Sequence, residues 1–151
     1  MFTLVPSNFF DPARELDALK EAGEVIEGSG TGHMDIPQYD AVLVYTKDED
    51  GVASFTTVAE MLQRLPDCPE YNKILCRRSA GRIYLALAQG KQLLLVNAFD
   101  AADFTTAEYF IFLAVKSLQI NPEVSTISWS GELSRTEEMS LYRYFKSVAR
   151  V

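Results

Sequence analysis

The sequence predicts an α/β fold: a layered mixed sheet with helices on both faces. Three observations predict it. Apolar runs of strand length alternate with amphipathic helical segments, the pattern of a layered α/β protein. Residues 41–46, AVLVYT, are apolar without alternation, as expected of a strand covered on both faces. Residues 72–100, NKILCRRSAGRIYLALAQGKQLLLVNAFD, read as three consecutive strands joined by SAG and QGK and feeding a helix. Such a meander is common in enzymes that hold a nucleotide at the first turn.

Taken in order, residues 2–6 are a short strand ended by Pro6. Residues 11–23 form a helix capped by Asp11, with Pro12 in its first turn and Gly23 at its end. Residues 27–38, EGSGTGHMDIPQ, are loop-like, and residues 47–51, KDEDG, are an exposed turn between the strand 41–46 and the next helix. That helix runs from about 57 to 65 and starts at a Thr57/Glu60 capping box, a device that recurs at Thr105/Glu108 and Ser134/Glu137. Two prolines in LPDCPE end it. The meander strands span about 73–77, 82–88 and 92–99, with QGK a tight hairpin. A helix at 105–118, a strand at 125–130 and a closing helix at 134–150 follow. The order is therefore strand, helix, strand, helix, three strands, helix, strand, helix, with no internal repeat and no low-complexity tract.

The last two helices read differently. On the closing one, Leu141, Tyr144, Phe145 and Val148 fall on one arc and Arg143, Lys146 and Arg150 on the other, as on a surface helix with one core face. On the helix 105–118, Ala107, Phe110, Ile111, Ala114 and Leu118 make one face, while Tyr109, Phe112 and Leu113 lie on the reverse beside Lys116. A helix apolar on most sides is buried on most sides. Either this chain or a partner covers the second face, so Tyr109, Phe112 and Leu113 are candidate interface residues.

A length of 151 residues suggests one compact unit able to bury roughly 68–70% of its unfolded surface. The net charge of −7 argues against nucleic acid and anionic membranes, which need a basic surface. No segment nears the ~20 apolar residues that span a bilayer; the longest, YFIFLAV, stops at Lys116. No basic stretch precedes the apolar residues of MFTLVPSNFF, so no leader is expected. Cys68 and Cys76 are too few and too widely spaced for zinc, and Cys76 lies inside an apolar strand. Reduced thiols and a cytoplasmic location are the expectation.

The chemistry-bearing groups are sparse. Hydrolysis by a Ser/His/Asp or Cys/His set needs a histidine, and the single one, His33, falls in a glycine-rich loop. GSGTG at 28–32 lacks the following helix, lysine and hydroxyl of a phosphate loop, and reads as a linker. Asp48-Glu49-Asp50 reads as a solvated turn rather than a cation site. Asp100 and Asp103 flank a helix start, where negative charge suits the dipole. RRSAG at 77–81 turns the first hairpin, where two arginines and turn amides could receive an anion; its plain reading is a strand end with solvated arginines. No catalytic residue, metal ligand or cofactor is expected.

Several segments carry a resemblance: FTLVPSNFFDPAREL, YDAVLVYT, the long KQLLLVNAFDAADFTTAEYFIFLAVKSLQINPEVSTISWSGEL, and the terminal LYRYFKSVARV. In them the chain resembles an uncharacterised family of Bacteroidetes proteins with an actin-like fold, of the superfamily of actin, sugar kinases, heat-shock ATPases and pilus-assembly ATPases. The likeness spans nearly the whole chain, though only in general pattern between residues 24 and 39. It implies a ribonuclease-H-like half of meander, helix, strand and helix at 72–151, a second lobe. Residues 1–66 would then be the tail of a first lobe whose own hairpin is absent. FTLVP and AVLVYT would lack their usual sheet neighbours, and an unpaired apolar edge recruits another chain. A homodimer or another protein partner is the expectation.

The resemblance also implies where a nucleotide would lie. Active members carry Asp-x-Gly at the turn that is Ser79-Ala80-Gly81 here. They tend to carry Gly-Gly near the adenosine, where this chain has Gly131-Glu132, and a carboxylate is a poor neighbour for a nucleotide. Arg77, Arg78, Ser79, Gly81, Ser130 and Gly131 are thus the candidate anion or nucleotide residues. With the acid missing, the expectation is a non-catalytic scaffold that works by association. The alternatives are an ATPase completed by another chain and a small-anion module centred on Arg77, Arg78 and Ser79.

Overall fold

The computed structural model describes residues 1–26 and 28–151. The fold is mixed α/β, and the chain divides into two compact units, Met1–Leu62 and Gln63–Val151.

The first unit contains β1 (Phe2–Pro6), α1 (Glu15–Ala22), β2 (Thr31–Ile36), β3 (Ala41–Thr46) and almost all of α2 (Glu49–Arg64). Its sheet order is β1-β3-β2, with both pairings antiparallel. AVLVYT is therefore the central strand, paired on both sides, and not an edge that has lost its neighbours. Its valines 42 and 44 are buried with Leu19 of α1, and Val5, Phe10 and Val25 pack around them. Asp11 caps as expected, accepting from the Ala13 N–H at 3.0 Å, but the first turn, Pro12–Arg14, is 3-10.

Three expectations fail in this unit. The expected loop at 27–38 contains strand β2; Glu27 lies outside the described residues. Glycine and polar residues hide β2 in the sequence, and its ladder with β3 makes it a strand. A Cβ at Gly32 would meet the Tyr45 ring at 2.7 Å, so that ring would have to shift to admit one. His33 is thus a strand residue, pairing with Glu15 of α1 and lying 4.8 Å from the Phe10 ring.

KDEDG is likewise not a turn but the start of α2, eight residues before the expected one. The Asp48 carboxylate accepts from the Thr46 hydroxyl and from the Gly51 N–H, which hold it below the usual carboxylate range. Glu49 and Asp50 occupy the first turn, where their charge suits the dipole. Thr57 sits buried inside the helix, so the Thr57/Glu60 box does not form.

The second unit runs β4 (Asn72–Ser79), β5 (Arg82–Gln89), β6 (Gln92–Asp100), α3 (Phe104–Ser117), β7 (Thr126–Ser130), α4 (Arg135–Tyr142) and β8 (Ser147–Arg150). The sheet order is β6-β5-β4-β7-β8; the meander is antiparallel, and β7 and β8 are added parallel. Alternate residues Ile74 and Cys76 (β4), Ile83, Leu85 and Leu87 (β5), and Ile127 and Trp129 (β7) form one core with Ala107, Ile111, Ala114 and Val115 of α3. Each large side chain fully buried there contributes roughly 1.5–3 kcal/mol. The Trp129 indole donates to the Glu132 carbonyl at 3.0 Å, so its burial leaves no orphan N–H.

Two further corrections fall here. The helix expected at 134–150 ends at Tyr142, and residues 147–150 are β8. Val148 keeps its predicted burial, but as the ladder partner of Ile127. Helix α3 is capped by Asp103, whose carboxylate accepts from the Thr106 N–H at 2.7 Å, so the Thr105/Glu108 box is absent. Glu108 instead accepts from the Ser140 hydroxyl at 2.8 Å. The Ser134/Glu137 box is complete. The observed order is strand, helix, two strands, helix, three strands, helix, strand, helix, strand.

Candidate functional site

The β4–β5 connection has only two residues, Ala80 (φ 51°) and Gly81 (φ 73°), both left-handed, as in a type I′ hairpin turn. Glycine suits that conformation, whereas alanine at 80 is held in it by the ladder pair Ser79–Arg82 on either side. Because β7 lies parallel to β4, with Arg77 opposite Ser130, both strands end on the same side of the sheet. The chain leaves β7 through Gly131 (φ 93°) and Glu132. The result is a concavity of about 420 Å³ where the turn, Arg78, Arg82, Glu132 and Glu137 meet.

Of the six predicted residues, Arg78, Ser79 and Gly81 line this space. Arg77 lies in the ladder between Tyr84 and Ser130, and Ser130 is buried. Sequence reading missed Arg82 and Glu137 as site residues. Glu137 was legible as half of a capping box. One carboxylate oxygen accepts from the Ser134 N–H at 2.9 Å, and the other takes the Arg78 guanidinium at 3.1 Å.

Two arginines and two glutamates line the concavity, so its charges balance. Arg78 pairs with Glu137 and stands 5.9 Å from the Phe104 ring centroid. Arg82 meets Asp100, its ladder partner on β6, at 3.4 Å. Asp103 is held below the usual carboxylate range, first by the Thr106 N–H, with Arg78 contributing less. Two guanidinium groups thus face Asp100, Asp103, Glu132 and Glu137. Among the described residues, no group of three or more His, Cys, Asp or Glu is placed to hold a metal. Cys68 and Cys76 are free and buried, and burial pushes both thiols up, away from the reactive thiolate.

The predicted interface residues separate. Tyr109 is 61% exposed and Leu113 48%. Phe112 is half-buried, its ring 4.6 Å from Tyr144 and 5.9 Å from Phe145, so it belongs to the packing of this unit. No helix among the described residues is long and apolar enough to cross a membrane.

A three-strand meander followed by helix, strand, helix and strand, with the β4–β5 turn and the end of β7 at the same end of the sheet, is the arrangement of an actin-like fold. The chain superposes on the crystal structure of a Bacteroides thetaiotaomicron protein with an actin-like ATPase fold and unknown function. The TM-score is 0.81 at 16% identity, and the match covers 99% of this chain and 64% of that one. The present chain therefore spans less than two thirds of that protein's length. It belongs to the family described as Protein of unknown function (DUF3822), which it matches over residues 1–148. No curated protein matches it significantly.

Proposed function

We propose that the protein is a non-catalytic, actin-like scaffold that acts by protein association, with a nucleotide site that has lost its chemistry. The observation that carries this reading is the charge at the β4–β5 turn. Phosphoryl transfer rests on cations and dipoles that stabilise the transferring group. Here Arg78 and Arg82 each stand beside a carboxylate, and Glu132 adds a further negative charge to the lining. A triphosphate entering this space would compete with Glu137 for Arg78 and with the exposed Asp100 for Arg82. The turn that carries Asp-x-Gly in active relatives has Ser79 and Ala80 instead. Association is supported by the exposed Tyr109 and Leu113 on the outer face of α3, and a cytoplasmic setting accords with the two free thiols.

Phosphate release from Mg-ATP tests the first half: turnover at the buffer rate is expected, and turnover by the purified chain overturns the reading. Light scattering tests the second half, a mass above 16.9 kDa being expected. The double substitution Tyr109→Arg, Leu113→Glu should restore the monomer with the fold intact. A second reading, an ATPase whose acids come from another polypeptide, is favoured by one fact: the chain spans 64% of the similar protein. It requires that a partner confer both nucleotide binding and turnover.

A further inference from the structure

Helix α3 keeps one stripe that the second unit does not cover. Tyr109, Leu113 and Lys116 follow the i, i+4, i+7 spacing that puts side chains on one face, and all three are exposed. Phe112, between them, turns away to Tyr144 and Phe145. The core face, with Ala107, Ile111, Ala114 and Val115, lies opposite. The stripe is thus two large apolar side chains ending in a cation.

Charge is laid out unequally along this helix. Asp103, exposed, caps its N-terminus. Lys116, in its last turn, makes no ion pair with any described residue. A helix that is negative at one end, positive at the other and apolar between them is complementary to itself, but only when reversed.

We propose that this stripe docks a second copy of the chain, with the two α3 helices packed antiparallel about a two-fold axis. The proposal rests on the association reading above and names its partner and geometry. Setting Tyr109 of one copy over Leu113 of the other places Lys116 opposite Thr106 of its mate, one turn from Asp103. A two-fold makes each of these contacts twice. Antiparallel packing also opposes the two helix dipoles, whereas a parallel pair would align them and put Lys116 on Lys116. Exposed ion pairs are weak, so Asp103 and Lys116 fix the orientation while Tyr109 and Leu113 supply the apolar burial. One helix pair is a small interface, so the dimer should dissociate on dilution. The hairpin that the resemblance expects ahead of residue 1 belongs to the first lobe, whereas α3 lies within the second unit.

Sedimentation velocity of the full chain, from micromolar to near-millimolar concentration, should show a monomer–dimer equilibrium that weakens with added salt. Lys116→Glu should raise the dimer dissociation constant by about fivefold or more, because it sets two carboxylates face to face. In the background of Asp103→Asn, which keeps a capping side chain, the same substitution should cost less than about twofold. Circular dichroism of these variants should match that of the natural sequence. Orientation is read with a short bismaleimide, since the native Cys68 and Cys76 are buried. Thr106→Cys mixed with Lys116→Cys should cross-link between copies, and Lys116→Cys alone should not. A dimer broken by Tyr109→Arg, Leu113→Glu but indifferent to Lys116→Glu overturns this arrangement and leaves association through α3 standing. So does Lys116→Cys cross-linking to itself. A dimer indifferent to every one of these substitutions, or a chain that stays monomeric at every concentration, overturns both. ATP turnover would defeat the non-catalytic reading alone and leave the dimer result standing.

Discussion

A Cβ on residue 51 would lie 2.1 Å from the Thr46 carbonyl oxygen and 2.2 Å from its hydroxyl, distances that no side-chain adjustment relieves. Helix propensity alone would make Gly51→Ala a gain of about 1 kcal/mol. The clash reverses the sign, and a loss of about 1–3 kcal/mol is expected, read as a lower urea midpoint at unchanged slope. Glu15 sets a second expectation. Burial pushes its carboxyl up, but the Thr31 hydroxyl and His33 together outweigh that and leave it below the usual range. A carboxylate depressed in the folded state adds stability that is present above the unfolded value near pH 4. That stability is lost as the pH falls through the lower folded value. Asp103 acts in the same direction. Urea midpoints should therefore hold from pH 7 to about 5 and drop below about 4, and Thr31→Val should lessen the drop. Neither residue's role was legible in the sequence: Gly51 looked like a turn glycine because its contact partner lies across a turn, and Glu15 meets a strand that did not look like one.

At the scale of elements, Ser134 and Thr105 stand in identical sequence patterns, each three residues before a glutamate. In the structure one is a cap and the other is not. Ser134→Ala removes a side chain that accepts from the Glu137 N–H at 3.1 Å, and should cost about 1 kcal/mol. Thr105 is exposed inside the first turn of a helix that Asp103 already caps, so Thr105→Ala should stay within about 0.5 kcal/mol. Parallel chemical denaturation of the two variants decides it. The same contrast explains what could be read from the sequence. The meander was legible because its turns carry local chemistry, Ala80-Gly81 and Gly90, and its strands are apolar runs of strand length. Strands β2 and β8 were not, because each is a strand only by virtue of its neighbour. Residues 141–148 have helical spacing, yet Val148 gains more from pairing beside Ile127, on a strand whose every residue is buried. The same dependence hid the centre of the first sheet: β2, unread, supplied the second partner of AVLVYT.

At the scale of the whole molecule, the question is whether an actin-like chain with this site still feels a nucleotide. The resemblance implied an acid at the turn that is Ser79-Ala80-Gly81 here. It did not show that Glu137 and Asp100 would engage both neighbouring guanidinium groups, because those pairs join residues 59 and 18 positions apart. A ligand that binds only the folded state at a hundred times its Kd stabilises it by ~2.7 kcal/mol. For a chain of this size each kcal/mol moves the melting temperature by roughly 2–4 °C. An intact site with a Kd near 50 µM would thus raise the Tm by roughly 5–11 °C in 5 mM Mg-ATP. The engaged arginines and the two glutamates of the lining predict a shift of less than about 1 °C. The variant Glu132→Ala, Glu137→Ala provides the internal control, since it removes two negative charges from the concavity and frees Arg78. If charge is what excludes the polyanion, this variant should gain a measurable Mg-ATP shift that the natural sequence lacks, even though loss of the capping box lowers its starting Tm. A shift of several degrees in the unaltered protein would mean that the ion pairs open at little cost and that the site remains a nucleotide site.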